Sequence, residues 1–366
     1  MAGTATVIEE GVALRIPSGV FYNHHMELCR GIGSLALGAL GGKLSVIDGM
    51  CASGARGLRY RKENANAVEL EMVDIDSKAA SCAKANAKRN GISCRVRAAN
   101  VCDVLRDGRF DFVELDPFGS PAPYLHDAAR SFAVLGKGWL SLTATDMAVL
   151  CGAHHSACLK NYWSAPLDNE FCHENAVRIL AARVAMAFSQ FNLAAMPAFT
   201  LSHRHYVKML FRIEAGAEGA VFGIKARGFV SYCPSCCARQ FEKLPSGKMC
   251  AHCGHELQTG GPLSLLPLWD GKVVRKMIAL NAKRKYSKCA EIERLLRTIA
   301  LEEKVGAHGY YDLHALAKKT RRRIPGIEEA LSRLRSAGFH AERTHFCPTA
   351  VRTDAPHGEV LMLGVG

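Results

Sequence analysis

Between residues 44 and 143 five short strand-like runs alternate with helical patterns, and this alternation limits the fold more than any other feature of the chain. The runs cover 44–48, 67–73, 93–97, 110–115 and 139–143. The first passes through a small-residue turn, Gly49 to Gly57, into a helix at 58–64, and the second feeds the Ala- and Lys-rich segment 77–90, which stops at Asn90-Gly91. Further helices are predicted over 124–135 and 173–191. Strands separated by helices pair through crossovers, and a right-twisted strand feeding a right-handed helix closes them in one hand. The expected fold class is α/β, a parallel, doubly wound sheet.

In such a sheet a ligand lies beyond the carboxyl ends of the strands, beside the first glycine turn, with an acid about 20 residues on reaching ribose hydroxyls. Asp74 takes that place. The turn is neither Gly-x-Gly-x-x-Gly nor Gly-x-x-x-x-Gly-Lys-[Ser/Thr], and Asp48 puts a carboxylate where a phosphate would be repelled. A ligand with a cationic centre and a free ribose suits two strand-end carboxylates better. S-adenosylmethionine, with its sulfonium and amino groups, is such a ligand. Gly49, Gly54 and Gly57 by themselves read equally well as tight turns and helix packing.

The fourth run ends Val113-Glu114-Leu115-Asp116-Pro117-Phe118-Gly119-Ser120-Pro121, an acid, a proline and an aromatic ring at the mouth of the sheet. That grouping suits methyl transfer to an exocyclic amine of a base. The amine is a weak nucleophile because its lone pair is delocalised into the ring, so a site must accept its hydrogen bonds and take its proton. Asp116 supplies the acceptor, Pro117 fixes the neighbouring carbonyls, and Phe118 offers a face on which an unstacked base can lie, worth about 1–3 kcal/mol. The base must leave its stack to get there. Asp-Pro-Phe-Gly as a mere chain reversal is the plainer alternative.

These residues resemble those of the tRNA (guanine-N2)-dimethyltransferase family. The resemblance runs nearly end to end: Val20-Phe21-Tyr22-Asn23 with Met26 and Arg30, Asp48 through Arg59, Asp74-Ile75, Leu115 through Pro121, Thr143-Ala144-Thr145-Asp146, Cys172-His173-Glu174 and Arg343-Thr344-His345-Phe346. It implies a class I S-adenosylmethionine-dependent methyltransferase sheet acting on the N2 of guanine 26 in tRNA. It also implies a cofactor pocket formed by Arg30, Asp48, Arg56, Asp74, Ile75 and Ala99, a catalytic group of Asp116, Pro117 and Phe118, and a guanine held between Phe21 and Phe118. The chain departs from the family at Cys29-Arg30-Gly31, where Asn-Arg-Asp is usual, and at Ala98-Ala99, where an Asp-Ala pair is usual. The rival readings are an amine methyltransferase for DNA bases or protein amides, and an RNA-binding protein with a decayed pocket.

Cys233-Pro-Ser-Cys236 and Cys250-Ala-His-Cys253 form two short knuckles whose spacing can close a tetrahedral Zn2+ site of four thiolates. Cys237 and His252 are substitute ligands, and a redox Cys-x-x-Cys is the functional rival. Net charge separates the chain into the same two parts. Residues 1–222 carry 23 basic and 21 acidic side chains, residues 223–366 carry 24 and 13. We therefore expect a methyltransferase domain at 1–222 and a zinc-containing, basic α+β domain at 223–366 that grips tRNA phosphates. Its basic clusters are Lys283-Arg284-Lys285 and Lys318-Lys319 with Arg321-Arg322-Arg323, interleaved with Tyr286, Tyr310 and Tyr311. Gly260-Gly261-Pro262 reads as a linker, followed by helices at 272–282, 288–303, 311–320 and 326–337 in a winged-helix-like order, then short strands to Val365. No apolar stretch is long enough to span a membrane, and no export signal opens the chain, so the expected location is cytoplasmic, with no membrane and no obligate protein partner. Fifteen cysteines without an export signal read as thiols and metal ligands rather than disulfides.

Overall fold

The computed structural model describes residues 4–245 and 247–364. Two strands not expected from the sequence pattern, β1 (Thr4–Glu9) and β2 (Val12–Pro17), form an antiparallel hairpin at the start. Behind them β3 (Leu44–Asp48), β4 (Ala67–Asp74), β5 (Arg95–Ala98), β6 (Phe112–Leu115), β7 (Lys137–Ala144), β8 (Leu193–His203) and β9 (Tyr206–Ala215) build the central sheet. Its order is β5-β4-β3-β6-β7-β9-β8. Strands β3 to β7 are parallel, as expected, and the order reverses between β3 and β6, the place where such sheets bind ligands. Beyond the five expected parallel strands, the sheet gains two more at its far edge that the sequence pattern did not place. Strand β9 runs antiparallel to β7, and β8 antiparallel to β9, because only Arg204 and His205 separate them and so short a loop makes a hairpin. The hairpin tip therefore lies on the carboxyl edge of the sheet.

Helices α1 (Glu27–Gly38), α2 (Ala55–Glu63), α3 (Ser77–Arg89), α4 (Val101–Asp107) and α5 (Leu125–Leu135) cover the sheet with the long helix Cys172–Ser189. Strands β3 and β6 are buried on both faces, which is why 44–48 and 110–115 are apolar runs rather than alternating ones. Two glycines of the first turn are there for close approach. A Cβ on Gly49 would stand 2.7 Å from Val101, and one on Gly57 would stand 3.1 Å from the Asp48 carboxylate that accepts the Gly57 N–H.

The helix Ala217–Lys225 runs across the expected boundary at 222 and packs on Cys172–Ser189. Next, β10 (Arg227–Tyr232), β11 (Arg239–Glu242) and β12 (Gln258–Ser264) form a small sheet in the order β11-β10-β12. The expected linker at Gly260-Gly261-Pro262 is part of β12. Its small residues serve close packing, not freedom: Gly261 exchanges two 2.8 Å backbone hydrogen bonds with Ala165, and a Cβ on Gly260 would stand 2.7 Å from Leu167. Helices follow at Gly271–Lys283, Cys289–Val305, Leu313–Thr320 and Ile327–Ser336, close to the expected ones. With β13 (Tyr311–Asp312), β14 (Ala341–Arg343) and β15 (Ala350–Thr353), the order from Cys289 is helix, strand, two helices, two strands, that of a winged helix. After β15 comes a helix, His357–Met362, rather than further strands, and Val365 lies outside the described residues.

One buried charge cluster joins the two halves. Glu174 on the long helix meets Arg352 of β15 at 2.5 Å and Arg178 at 2.8 Å, and Arg352 also contacts Glu302 at 3.0 Å. His345 completes it, with Nδ1 2.6 Å from Glu302 and Nε2 accepting the Ser202 N–H at 3.2 Å. Thr344 Oγ1 donates to Glu302. The Glu174 of Cys172-His173-Glu174 and the Thr344-His345 string are thus parts of one clamp.

Candidate active site and zinc centre

Asp116 leaves the carboxyl end of β6 beside the switch point, its side chain 21% exposed and its carboxylate paired with the Arg56 guanidinium of α2. Arg56 also lies 3.7 Å from Glu114, whose other partners are the Lys208 ammonium and the Tyr60 hydroxyl at 2.7 Å. Burial opposes the Asp116 charge, but Arg56 and Lys208 outweigh it and hold the carboxyl below its ordinary range. The group is an ionised acceptor. Asp48, buried one strand over, shows the reverse: burial, with Glu114 and Asp116 nearby, pushes its carboxyl up to about 7 against the pull of Arg56. Three carboxylates, Asp48, Glu114 and Asp116, thus face two cations, Arg56 and Lys208. With Asp48 ionised, the strand ends carry a surplus of negative charge that suits a cationic ligand, so the sulfonium of S-adenosylmethionine fits the residues present.

The loop after Asp116 is fastened from β7. Gly119 donates to Thr145 Oγ1 at 2.7 Å and accepts the Thr145 N–H at 3.0 Å. Ser120 donates to the Tyr162 hydroxyl at 2.7 Å, which in turn donates to Asp146 at 2.9 Å. Thr145 and Asp146 therefore support the loop, which leaves Phe118 78% exposed. Phe21 comes from the segment after β2 and meets Phe118 edge to face, with ring centroids 4.7 Å apart. The structure sets Phe21, expected only from the family resemblance, against Phe118 on the loop that follows Asp116, while Glu114 and Lys208 were not expected from the sequence at all. The available signal was a charged residue flanked by buried apolar neighbours, Glu114 within Phe112–Leu115 and Lys208 near the start of Tyr206–Ala215.

The other expected pocket residues spread around the same rim. Asp74 Oδ2 accepts the Ala52 N–H of the glycine turn at 2.8 Å, Ala99 donates its N–H to the Asp74 carbonyl at 2.9 Å, and Ile75 is exposed. Pro117 is buried. Arg30 is held by Glu9 at 2.7 and 2.5 Å and by the Asn23 carbonyl at 3.1 Å, below the Tyr22 ring. It anchors the segment that carries Phe21. Gly31 faces away from the cofactor side: a Cβ there would stand 3.3 Å from Ile292 and 3.5 Å from the Arg59 Nη2. That Nη2 is buried without a hydrogen-bond partner, so an Asp at this position would face Arg59.

In the C-terminal half the sulfurs of Cys233, Cys236, Cys250 and Cys253 lie within 4.8 Å of one another, with 3.4 Å between Cys233 and Cys253 and 3.6 Å between Cys236 and Cys250. Tetrahedral Zn–S bonds of about 2.3 Å put sulfurs about 3.8 Å apart, so the four thiols fit a zinc ion. The basic clusters need partial correction. Arg284 is turned inward, donating to Asn64 at 2.5 Å and to the Tyr286 hydroxyl at 2.7 Å, while Tyr286, Tyr310 and Tyr311 are buried in the core. Their rings pack and present no face to RNA. Arg321, Arg322 and Arg323 are exposed.

Residues 3–363 match the family model described as N2,N2-dimethylguanosine tRNA methyltransferase. The chain belongs to that family. It is 35% identical to the tRNA (guanine(26)-N(2))-dimethyltransferase of Methanothermobacter thermautotrophicus, with 97% of each chain covered. It is 33% identical to the tRNA (guanine(26)-N(2)/guanine(27)-N(2))-dimethyltransferase of Aquifex aeolicus, over 97% of this chain and 94% of that one. Among solved structures, that of Trm1 from Pyrococcus horikoshii in complex with S-adenosyl-L-methionine superposes with a TM-score of 0.89 at 29% identity, covering 98% of this chain and 99% of that one. Members of this family are S-adenosylmethionine-dependent methyltransferases of tRNA, and this chain combines such a methyltransferase sheet with a four-cysteine group that could hold zinc. No helix among the described residues is long and apolar enough to cross a membrane.

Proposed function

We propose that this protein transfers methyl groups from S-adenosylmethionine to the exocyclic N2 of guanine 26 in tRNA, in the cytoplasm. The observation that carries the reading is Asp116, ionised beside Arg56 at the switch point, under an exposed pair of phenylalanine rings. When bound, S-adenosylmethionine supplies an electrophilic methyl carbon. Asp48, Asp74 and the turn at Gly49 to Gly57 form its side of the pocket, with Arg56, Ile75 and Ala99 on the same rim and Arg30 acting through the Phe21 segment. Asp116 accepts hydrogen bonds from the N2 amino group, which turns the nitrogen lone pair toward the methyl, and receives the proton that N2 sheds once the new N–C bond has formed. With its lone pair committed to the new bond, the tetrahedral N2 cation has lost conjugation with the ring and is a strong acid, so a carboxylate of low pKa suffices as its base. Phe21 and Phe118 take the unstacked guanine between them. At 4.7 Å their rings are closed on each other; admitting a base needs a gap of about 7 Å, two van der Waals separations of roughly 3.5 Å, so Phe118 must swing on its loop. The half after residue 222 grips tRNA phosphates through Arg321 to Arg323, and the zinc holds the insert between β10 and β12.

The test is to incubate the protein with labelled S-adenosylmethionine and unmodified tRNA and to identify the labelled nucleoside after digestion. Label in N2-methyl- or N2,N2-dimethylguanosine is expected. Its absence, with tRNA still bound, would favour an RNA-binding protein.

A further inference from the structure

The catalytic machinery and the clamp leave one reactive cluster unexplained. Cys151 sits on the turn after the short helix Met147–Leu150, and Cys172 and His173 open the helix Cys172–Ser189. The two sulfurs and an imidazole nitrogen lie within 4.8 Å of one another, and all three residues are half-buried. We propose that Cys151, Cys172 and His173 form a second metal centre, a Zn2+ site with two thiolates, one imidazole and a fourth position open to water.

Zn–S bonds of about 2.3 Å and a Zn–N bond of about 2.0–2.1 Å place three such donors roughly 3.5–3.8 Å apart. No pair of donors needs to close by more than about one ångström to reach this spacing. A disulfide, with its sulfurs about 2.05 Å apart, would leave the histidine without a part in the site. The donors are soft and borderline, the set that selects Zn2+ over Mg2+ or Ca2+. Asp168 adds a negative charge close to both sulfurs, which favours a dication there. Metal binding would release the two thiol protons to solvent.

The position gives the ion a task. Cys151 lies just beyond Asp146, which holds Tyr162 and through it Ser120 of the catalytic loop. Cys172 and His173 immediately precede Glu174, the centre of the clamp. A metal here ties the wall behind the Phe118 loop to the helix that joins the two halves.

The experiment is metal counting on the whole chain, equilibrated with excess Zn2+, freed of unbound ion by gel filtration and measured by mass spectrometry. Two zinc atoms per chain are expected, falling to one in Cys151→Ser and one in Cys172→Ser, and to one in Cys233→Ser through loss of the other site. One zinc in the wild type, unchanged in Cys151→Ser, would overturn the proposal. So would a Cys151–Cys172 disulfide, seen as a peptide two mass units lighter before reduction. Should the serine variants not fold, Co2+ exchange into the wild type decides: two equivalents with tetrahedral visible bands support the site, and one equivalent removes it.

Discussion

Among the buried clusters of carboxylates and guanidinium groups in the described residues, the clamp and the switch point differ in balance. In the clamp, Glu174 and Glu302 face Arg178 and Arg352, with His345 hydrogen-bonded at both nitrogens, and every side chain is 3% exposed or less. At the switch point three carboxylates face two cations, and Asp116 opens to the surface. Burial costs a charge several kcal/mol unless partners repay it, so a closed and neutral set can be purely structural. An open set short of one positive charge is poised for a ligand that brings it. Charge balance and exposure, not residue type, separate the site from the scaffold.

The sharpest way to break this contrast is to neutralise one carboxylate. Asp116→Asn keeps the shape but loses the acceptor for the N2 proton, so kcat should fall by about 10^2–10^4 with tRNA affinity nearly unchanged. Single-turnover rates and filter binding measure the two separately, and a loss of less than tenfold would take Asp116 out of the chemistry. The clamp should answer in stability instead. Arg352→Met strands Glu174 and Glu302 without their shared cation and should cost about 3–5 kcal/mol, read by denaturant unfolding. The surviving folded enzyme should turn over at nearly the wild-type rate. If its kcat collapses while stability holds, the clamp is part of catalysis after all.

The contrast also explains what the sequence could reveal. Strands β3 and β6 were legible because burial on both faces leaves largely apolar runs, and Asp116 with Phe118 was legible because their motif is contiguous. Glu114 and Lys208 were not: they meet across the sheet from residues far apart in the chain, and each looks like a fault among apolar neighbours. The Gly260-Gly261-Pro262 misreading has the same origin, since small residues mark close packing as often as freedom, and only their closeness to Ala165 and Leu167 distinguishes the two. Arg284 and Tyr286 read as surface by composition, yet their partners Asn64 and Glu63 sit in the other half of the molecule.

A smaller effect concerns charges in neither cluster. Arg321, Arg322 and Arg323 are exposed, so changing all three to Ser should leave folding and single-turnover chemistry at saturating tRNA intact. Affinity should fall, and the slope of log affinity against log salt should flatten by about one for each phosphate no longer neutralised. An unchanged slope would mean that another surface holds the RNA.

The smallest predicted effect, and the one most specific to imbalance, is a titration. Asp48 has its pKa raised from 3.8 to about 7, so the native state holds this proton more tightly than the unfolded chain does. Its contribution to stability is full below the unfolded value and is lost as pH rises toward 7. Glu174 is lowered from 4.5 to about 2, since Arg352 and Arg178 outweigh the cost of burial; its contribution is full above 4.5 and is lost as pH falls toward 2. The two clusters therefore titrate in opposite senses. A cationic ligand favours ionised Asp48, so S-adenosylmethionine affinity should rise by up to about tenfold per pH unit below 7 and level off above it, with a proton released on binding in the lower range. Calorimetry in buffers of different ionisation enthalpy measures that proton. Asp48→Asn should abolish the dependence, and a wild-type affinity flat from pH 6 to 8 would show that the missing positive charge is not what the pocket recognises.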